Sequence, residues 1–429
     1  IRLRELPGQR VALSARVSSP RGTFGPFRLE YRVARRFAGS LRVSGDAFAA
    51  GLLLPAMALG EDLRIEGPVS PSLVRQLAAA AELLAGWGSL SPHLRLRQVA
   101  VRAELEESAA AGGTGLFFTG GVDSFYSAHA LGSQVDRLVF VHGFDISLAN
   151  RPLRREVSRR LGEAAAEMGL ELVEVATNYR RLSDPIVGWV MSHGGALAAV
   201  GHALAGGCSR FLLSSSDAYV TRVVYGTHPD LDPRWSSDSV AFASVGSDLK
   251  RKEKLAALCG NGVARRHLWV CWENRRNLYN CCRCGKCLRT MLQLEALGAR
   301  RDFPTFPDPP PVALVERMRE PAHRLFIWRD LAEDLGRHPG NEPLTRSIAG
   351  MIARSEQAAR SGRARGRRMP YRELAQLFRG RWATPLRRIA WTSLRVVGTA
   401  RRTLGAALHA VRGPWTPGPP VRSRAPRQS

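Results

Sequence analysis

Lysine is nearly absent. Of 63 basic residues only four are Lys (Lys250, Lys252, Lys254 and Lys286), and three of those sit within five positions. The rest of the chain is rich in Ala, Gly and Arg, as GC-rich coding produces, so most arginines need no functional explanation. The four lysines escape that bias. Cysteine is scarce too, seven in 429 residues, and it is not spread as a framework: Cys208 and Cys259 stand alone, and five lie between Cys271 and Cys287. This excludes a disulfide scaffold and points to metal and a reducing, cytoplasmic compartment. Only one long stretch lacks charge, Pro185 to Ser209. It is long enough to span a bilayer, but six Gly and two His (His193, His202) dilute it, which reads as a buried helix with its loops. A signal-peptide pattern is missing: Ile1 to Arg10 is charged and the next segment is too polar. The first residue is Ile rather than Met, the mark of a fragment or an alternative start. No internal repeat is visible.

The composition that remains is ordinary: 45% hydrophobic and 23% charged residues over 429 positions, enough for two or three domains with real cores. The net charge of +26 is uneven. From Arg360 to Ser429 there are 17 Arg, no Lys and one acid, Glu373, leaving the first 359 residues only moderately basic. Such a tail binds nucleic acid or an anionic lipid surface, or is simply solvated.

Residues 1–110 read as an N-terminal α+β domain. Arg28 to Ala34 alternates as a half-exposed strand, Leu41 to Ser44 looks like another, and Leu94 to Glu104 alternates over 11 residues. Ser70 can cap a helix that begins at Pro71 and runs to about Ala85. Residues 111–300 change to strands alternating with helices: strands at Leu116–Phe118, Arg137–His142, Leu170–Val175 and Arg210–Ser214, and helices from Phe125 and over Arg154–Met168. That order predicts an α/β fold, a parallel sheet with helices on both faces, with ligands beyond the carboxyl ends of the strands. Residues 224–250 read as an irregular loop, Asp248–Leu258 as a helix capped by Ser247 or Asp248, and Cys287–Leu297 as a helix stopped by Gly298. After a proline-rich break at Pro304–Pro311, residues 301–359 form a helical extension with Leu325, Trp328, Leu331 and Leu335 at helical spacing. Residues 360–429 are a basic, partly disordered tail in which Arg387–Val411 could form a surface helix.

Thr119-Gly120-Gly121-Val122-Asp123-Ser124 joins a strand to a helix. Two glycines let the backbone turn sharply and approach a ligand with no Cβ in the way. Successive N–H groups there can form a nest for phosphate oxygens, and the helix N-terminus adds donors and its dipole. Thr119 and Ser124 offer hydroxyls. Asp123 can hold Mg²⁺ against phosphates, or cap the helix. A plain β–α turn uses the same residue types. The sequence is not a nucleoside-triphosphatase P-loop, because no Gly-Lys-Ser/Thr follows, and it lacks the third Gly of a dinucleotide fingerprint.

Cys281, Cys284 and Cys287 form Cys-x2-Cys-x2-Cys, with Cys271 upstream. Four thiolates close a tetrahedral Zn²⁺ site with no open position, structural rather than catalytic; an Fe–S cluster is the rival. Arg283, Lys286 and Arg289 would offset the thiolate charge. The adjacent pair Cys281-Cys282 leaves one ligand ambiguous.

Phe118 to Phe125 resembles the Ser-Gly-Gly-x-Asp-Ser motif of the PP-loop ATP pyrophosphatases, with Thr119 in the first Ser place. The resemblance implies an adenine nucleotide α-hydrolase-like fold and cleavage of ATP between the α- and β-phosphates. The cysteine run, with Leu288 and Arg289 after it, is similar to the four-Cys zinc site of one such family, 7-cyano-7-deazaguanine synthase. Both features occur in that family's order and cover about Leu116 to Leu297. The N-terminal region and the long C-terminal part have no counterpart there, and the segment Val224–Trp235 is only loosely similar to the synthase's substrate loop.

The implied function is a carbon–nitrogen ligase that uses ATP, Mg²⁺ and Zn²⁺: a small-molecule acid is adenylated with release of PPi, and ammonia or an amine then attacks. Gly120, Gly121 and Ser124 would hold PPi, and Asp123 would position Mg²⁺. His142, Gly143 and Asp145 would meet adenine and ribose, unless His142 is merely a satisfied strand-end residue. Ser215, Ser216 and Asp217 would face the same crevice, or form only a turn or cap. Lys250 and Lys254 share a helix face, and either could reach a phosphate, or the lysines are a solvated face. His228 could bind substrate. Two rivals remain: a PP-loop sulfurtransferase acting on tRNA, for which Cys208 is a poor nucleophile among apolar residues, and a nucleotide-binding protein without turnover.

Overall fold

Side-chain parity divides the strand residues between two cores. In the computed structural model, whose described residues are 1–88, 95–216 and 226–361, the strands are β1 (Arg2–Leu6), β2 (Arg10–Val17), β3 (Phe27–Ala34), β4 (Leu63–Val69), β5 (Val101–Leu105), β6 (Thr114–Phe117), β7 (Arg137–His142), β8 (Glu171–Thr177), β9 (Arg210–Ser214) and β10 (Ala241–Val245). Eight of them form one sheet in the order β1-β2-β3-β8-β7-β6-β9-β10, and β4 and β5 pair separately. The chain is thus a mixed α/β protein.

The helices are α1 (Asp46–Leu59), α2 (Pro71–Gly88), α3 (Val122–Leu131), α4 (Arg151–Glu167), α5 (Tyr179–Ser183), α6 (Trp189–Ala203), α7 (Arg251–Leu258), α8 (Gly262–His267), α9 (Gly285–Ala296), α10 (Val312–Arg317), α11 (Leu325–Gly336) and α12 (Glu342–Arg360). On one sheet face, Phe117, Val139, Val141, Val173, Val175, Phe211 and Leu213 share a core with α1, α2 and α6. On the other, Leu116, Leu138, Phe140 and Leu212 meet α3, α4, α7, α8 and α9. Strands buried on both faces read as near-continuous apolar runs, which is why β7 and β9 were visible in the sequence. A third cluster joins α9 to α11 and α12 through Leu292, Leu325, Trp328, Leu331, Leu335 and Ile348. The spacing of Leu325, Trp328, Leu331 and Leu335 placed those side chains correctly.

The sheet is not parallel throughout. β8-β7-β6-β9-β10 are parallel neighbours, but β1, β2 and β3 are antiparallel and join the same sheet through β3 against β8. Residues Ile1–Glu356 form one compact unit.

Four local readings change. Leu41–Ser44 is an irregular connection: Leu41 and Ser44 are buried, and Arg42 donates its backbone N–H to Ala203 rather than to a strand. The alternating run ending at Glu104 yields only the strand Val101–Leu105, with Leu96 and Val99 packed half-buried on the core; Leu94 lies outside the described residues. The segment read as an irregular loop contains β10, which pairs with β9. The next helix starts later than expected, because Lys250 is its N-cap and donates its N–H to the Glu253 carboxylate at 2.6 Å, half of a capping box. Helix α1 went unread: every residue from Asp46 to Met57 is buried, so it has no polar face and no helical period. The charge-free segment forms α6, and among the described residues no helix is long and apolar enough to cross a membrane. The tail from 362 onward lies outside the described residues.

Candidate functional site

Strand order decides where a ligand can sit. From β6 the chain passes to β7 and β8 on one side, then crosses to β9 and β10 on the other. The carboxyl ends of β6 and β9 flank this reversal, the position where open α/β sheets bind ligands. The segments that leave those two strands carry Thr119–Ser124 and Ser215–Ser216.

The turn after β6 is built as its residue types suggested. Gly120 holds φ +74°, and a Cβ there would lie 2.6 Å from Leu161 Cδ2, so only glycine fits. Its carbonyl accepts from the Trp269 N–H at 2.7 Å, tying the turn to the segment that leads into Cys271. Gly121 is the N-cap of α3. Ser124 is buried, and its hydroxyl serves the turn: it accepts from the Gly121 N–H at 3.1 Å and lies 3.4 Å from Thr119 Oγ1. It is therefore a brace rather than a free ligand donor. Thr119 is exposed, while the Val122 side chain is in the core, so Val122 can offer a ligand only its amide.

Asp123, Lys254 and Ser215 come together, from three separate elements. Lys254 is 1% exposed. Its ammonium lies 3.5 Å from Asp123 Oδ1 and donates to the Ser215 carbonyl. Asp123 Oδ1 is buried and accepts no hydrogen bond among the described residues. Ser215 is held in place by its N–H, which donates to Val245 at 2.9 Å. A buried cation beside a carboxylate with an unused lone pair is a site prepared for further charged groups.

The neighbouring lysines do not join them. Lys250 is exposed at the start of α7, and among the described residues its ammonium forms no ion pair. Lys252 points the other way and pairs with Asp334 on α11 at 2.9 Å. Asp217 lies outside the described residues.

At the end of β7 the expected trio divides. His142 is buried and faces α4, where Nε2 lies 2.9 Å from Glu174 Oε1, with Ser158 hydrogen-bonded to the same carboxylate oxygen. Its Nε2 is thus engaged within the fold, while its Nδ1 is buried with no hydrogen-bond partner among the described residues. Parity explains this: His142 follows Phe140 onto the helix-covered face. Gly143 turns the chain at φ +97°, and its N–H donates to Ile146 at 3.0 Å. Asp145 is half-buried, and its carbonyl accepts from Asn274 Nδ2 at 2.7 Å.

An aromatic cluster that sequence reading missed stands at this edge of the sheet. Phe144 and Trp189 lie 4.7 Å apart between ring centroids, the Arg180 guanidinium sits 4.8 Å over Trp189, and Trp189 adjoins His193. Burial lowers the His193 pKa to about 4, so its ring is neutral at pH 7. Its Nε2 is 3.3 Å from Thr227 Oγ1. The only signal was position, since Phe144 directly follows a strand-end glycine. His228 contacts Trp87 edge-on, and its N–H donates to Asp232, a carboxyl raised to about 7 by burial.

Cys271, Cys281, Cys284 and Cys287 are all buried, and their sulfurs lie within 4.8 Å of one another. The Cys281–Cys287 and Cys284–Cys271 separations are 3.9 and 4.0 Å. A tetrahedron with metal–sulfur bonds of about 2.3 Å has edges of about 3.8 Å, so the donor set fits a metal ion. Backbone N–H groups of Cys284 and Cys287 point at Cys281 and Cys284 sulfur at 3.3 and 3.4 Å, which favours thiolates. Geometry also decides the adjacent pair: Cys282 takes a left-handed φ of +52° and turns its sulfur toward the Asn280 carbonyl, away from the other four. Burial raises the Cys282 thiol to about 11.

Between Cys271 and Cys281 the chain folds tightly, with Asn274, Arg276 and Asn277 at positive φ. Asn277 accepts from Asn150 at 2.8 Å, and Asn274 reaches Asp145, so the cysteine cluster anchors a loop that is fastened to the end of β7. Asparagine tolerates the left-handed region, and this clustering of Asn was the missed clue. No family model, no curated protein and no solved structure matches this chain; the functional reading rests on its own residues.

Proposed function

We propose that the chain is an ATP-dependent ligase of the PP-loop kind, with an adenine nucleotide α-hydrolase-like nucleotide domain. It would adenylate a carboxylate of a small molecule, release PPi, and let ammonia or an amine displace AMP. One observation carries the reading: the buried Lys254 ammonium beside Asp123, at a Gly-Gly turn by the carboxyl ends of β6 and β9.

The chemistry follows from those groups. A substrate carboxylate oxygen attacks the α-phosphorus, the bond to the bridging oxygen breaks, and PPi leaves with the negative charge. Catalysis then needs positioning and charge neutralisation more than covalent help. The Gly121–Asp123 amides at the start of α3 are suited to hold the departing phosphates. Lys254 supplies a fixed cation there, with no reorganisation cost because burial already holds it. Asp123, whose Oδ1 accepts no hydrogen bond among the described residues and faces only the Lys254 ammonium at 3.5 Å, suits Mg²⁺, which would neutralise charge on the phosphates. An amine then attacks the acyl carbon, AMP departs, and the amine loses a proton, giving the amide. A second round on the amide oxygen could dehydrate it to a nitrile. Zn²⁺ in the four-cysteine site would hold the Asn274–Asn277 loop in place and take no part in the steps.

PPi release from ATP, measured against a panel of acids with and without ammonia, tests this. Release that requires a small acid supports ligation. Release that requires tRNA would replace the reading with thiolation, although Cys208 is buried and its thiol is pushed up by that burial. ATP binding with no release under any condition would reject turnover.

A further inference from the structure

The antiparallel extension has two unlike faces. Val11, Leu13, Leu29, Tyr31 and Val33 pack into the core. Register puts the alternate residues on the other face: Arg2 and Arg4 of β1 lie opposite Ser14 and Ala12, Arg32 lies opposite Ala12, and Arg28 lies directly opposite Arg16. With Arg10 this face carries six arginines, and Arg2, Arg10, Arg16 and Arg28 are exposed. Its one acid, Glu30, is buried and already engaged by Arg4 and Arg32. Ala12 and Ser14 point the same way and are buried.

Two observations make this more than a solvated face. Like charges directly across a strand pair destabilise a sheet, yet Arg16 and Arg28 are so placed. The positive field also reaches the adjoining helix: the Arg154 pKa is lowered by burial and then, against the pull of Glu174, by Arg10, Arg151 and Arg32, and its Nε is buried without a partner among the described residues.

We infer that this arginine-bearing face binds the phosphate backbone of a nucleic-acid duplex. The chemistry selects that partner. Alternate residues on a strand repeat every 6.7 Å or so, and strands lie about 4.8 Å apart, giving a flat grid of guanidinium groups suited to successive phosphates. The face has no aromatic residue, so it lacks the stacking platforms that hold single strands. It has no Trp or Phe to enter a bilayer either. Contacts of this kind position a duplex and do not read its bases.

The test uses the full chain and fluorescence anisotropy with a short labelled DNA duplex and the matching RNA duplex, over a series of KCl concentrations. Arg16→Glu/Arg28→Glu should weaken duplex binding about tenfold or more, and lower the slope of log affinity against log salt by about two, one for each lost phosphate contact. Arg16→Gln/Arg28→Gln should fall between that variant and the parent. Both pairs lie away from the ends of β6 and β9, and a native circular dichroism spectrum serves as the folding control. The two duplexes tell DNA from RNA. Unaltered affinity and slope in both variants would overturn the proposal. So would loss of binding only to phosphatidylserine vesicles, which would assign the face to a membrane surface.

Discussion

One sheet contains two kinds of strand. The parallel half, β8-β7-β6-β9-β10, packs against helices on both faces. The antiparallel half, β1 to β3, is covered on one face and open on the other. Chemistry follows from that difference. In the parallel half, charged side chains gather at the strand ends, where Asp123 and Lys254 meet in a mostly buried site. In the antiparallel half they spread over a surface, where Arg2, Arg16 and Arg28 are exposed and only a large polyanion can engage several. The first arrangement suits a small ligand that is held and transformed, the second an extended ligand that is merely held.

The sharpest way to break this comparison is to remove a thiol. If the four thiolates hold a metal ion, as proposed above, Cys284→Ser should abolish its uptake and destabilise the chain by several kcal/mol, since structural metal binding is itself folding energy. Cys282→Ser should keep about one metal per chain, by metal analysis. Equal loss in both variants would contradict the geometry. Next in size, Asp123→Asn should lower PPi release about 10²–10³-fold while circular dichroism stays native, because shape and hydrogen bonding persist but the charge does not. Full activity would remove Asp123 from the site. A third test compares glycines: Gly120→Ala should cost about 2–4 kcal/mol in denaturant titrations, from left-handed strain plus overlap with Leu161, whereas Gly298→Ala, with open space around it, should cost only about 1–2 kcal/mol.

Asp232 gives a pH signature within the parallel half. Burial raises its pKa from 3.8 to about 7. Between those values the folded chain binds the extra proton, so this group's contribution to stability falls as pH rises from about 4 to about 7, then levels off. Asp232→Asn should remove that part of the slope in melting curves taken across the window. The smallest effect belongs to the open face: Arg16→Glu alone should raise stability by about 0.5 kcal/mol, by replacing a like-charge pair with an ion pair to Arg28. A loss of stability instead would mean that the face is packed rather than open.

How much of this was legible depended on whether the signal was local. The Gly-Gly turn was, because a tight strand-to-helix bend is made by adjacent residues; so were the cysteine run, the helix read over Arg154–Met168 and the spacing from Leu325 to Leu335, whose apolar periods lie in the chain. Helix α1 was hidden because burial on all sides erases its period. β10 was hidden because a short strand within polar loop sequence is recognised only by its partner β9. The role of His142 stayed open in the sequence because its direction depends on strand parity relative to α4. The aromatic cluster of Phe144 and Trp189 joins residues that are 45 positions apart.

The sequence by itself determined the local devices: the bend that only glycine permits, four thiols spaced to close on one ion, and alternation that separates apolar from charged faces. Those follow from backbone geometry and side-chain chemistry within a few residues. Tertiary structure alone decided which lysine is buried against Asp123, which of two adjacent cysteines joins the other three, and that six arginines from three strands form one open face. Each of these is a matter of distance between remote segments, set by strand order and register, and neither can be read from neighbours in the chain.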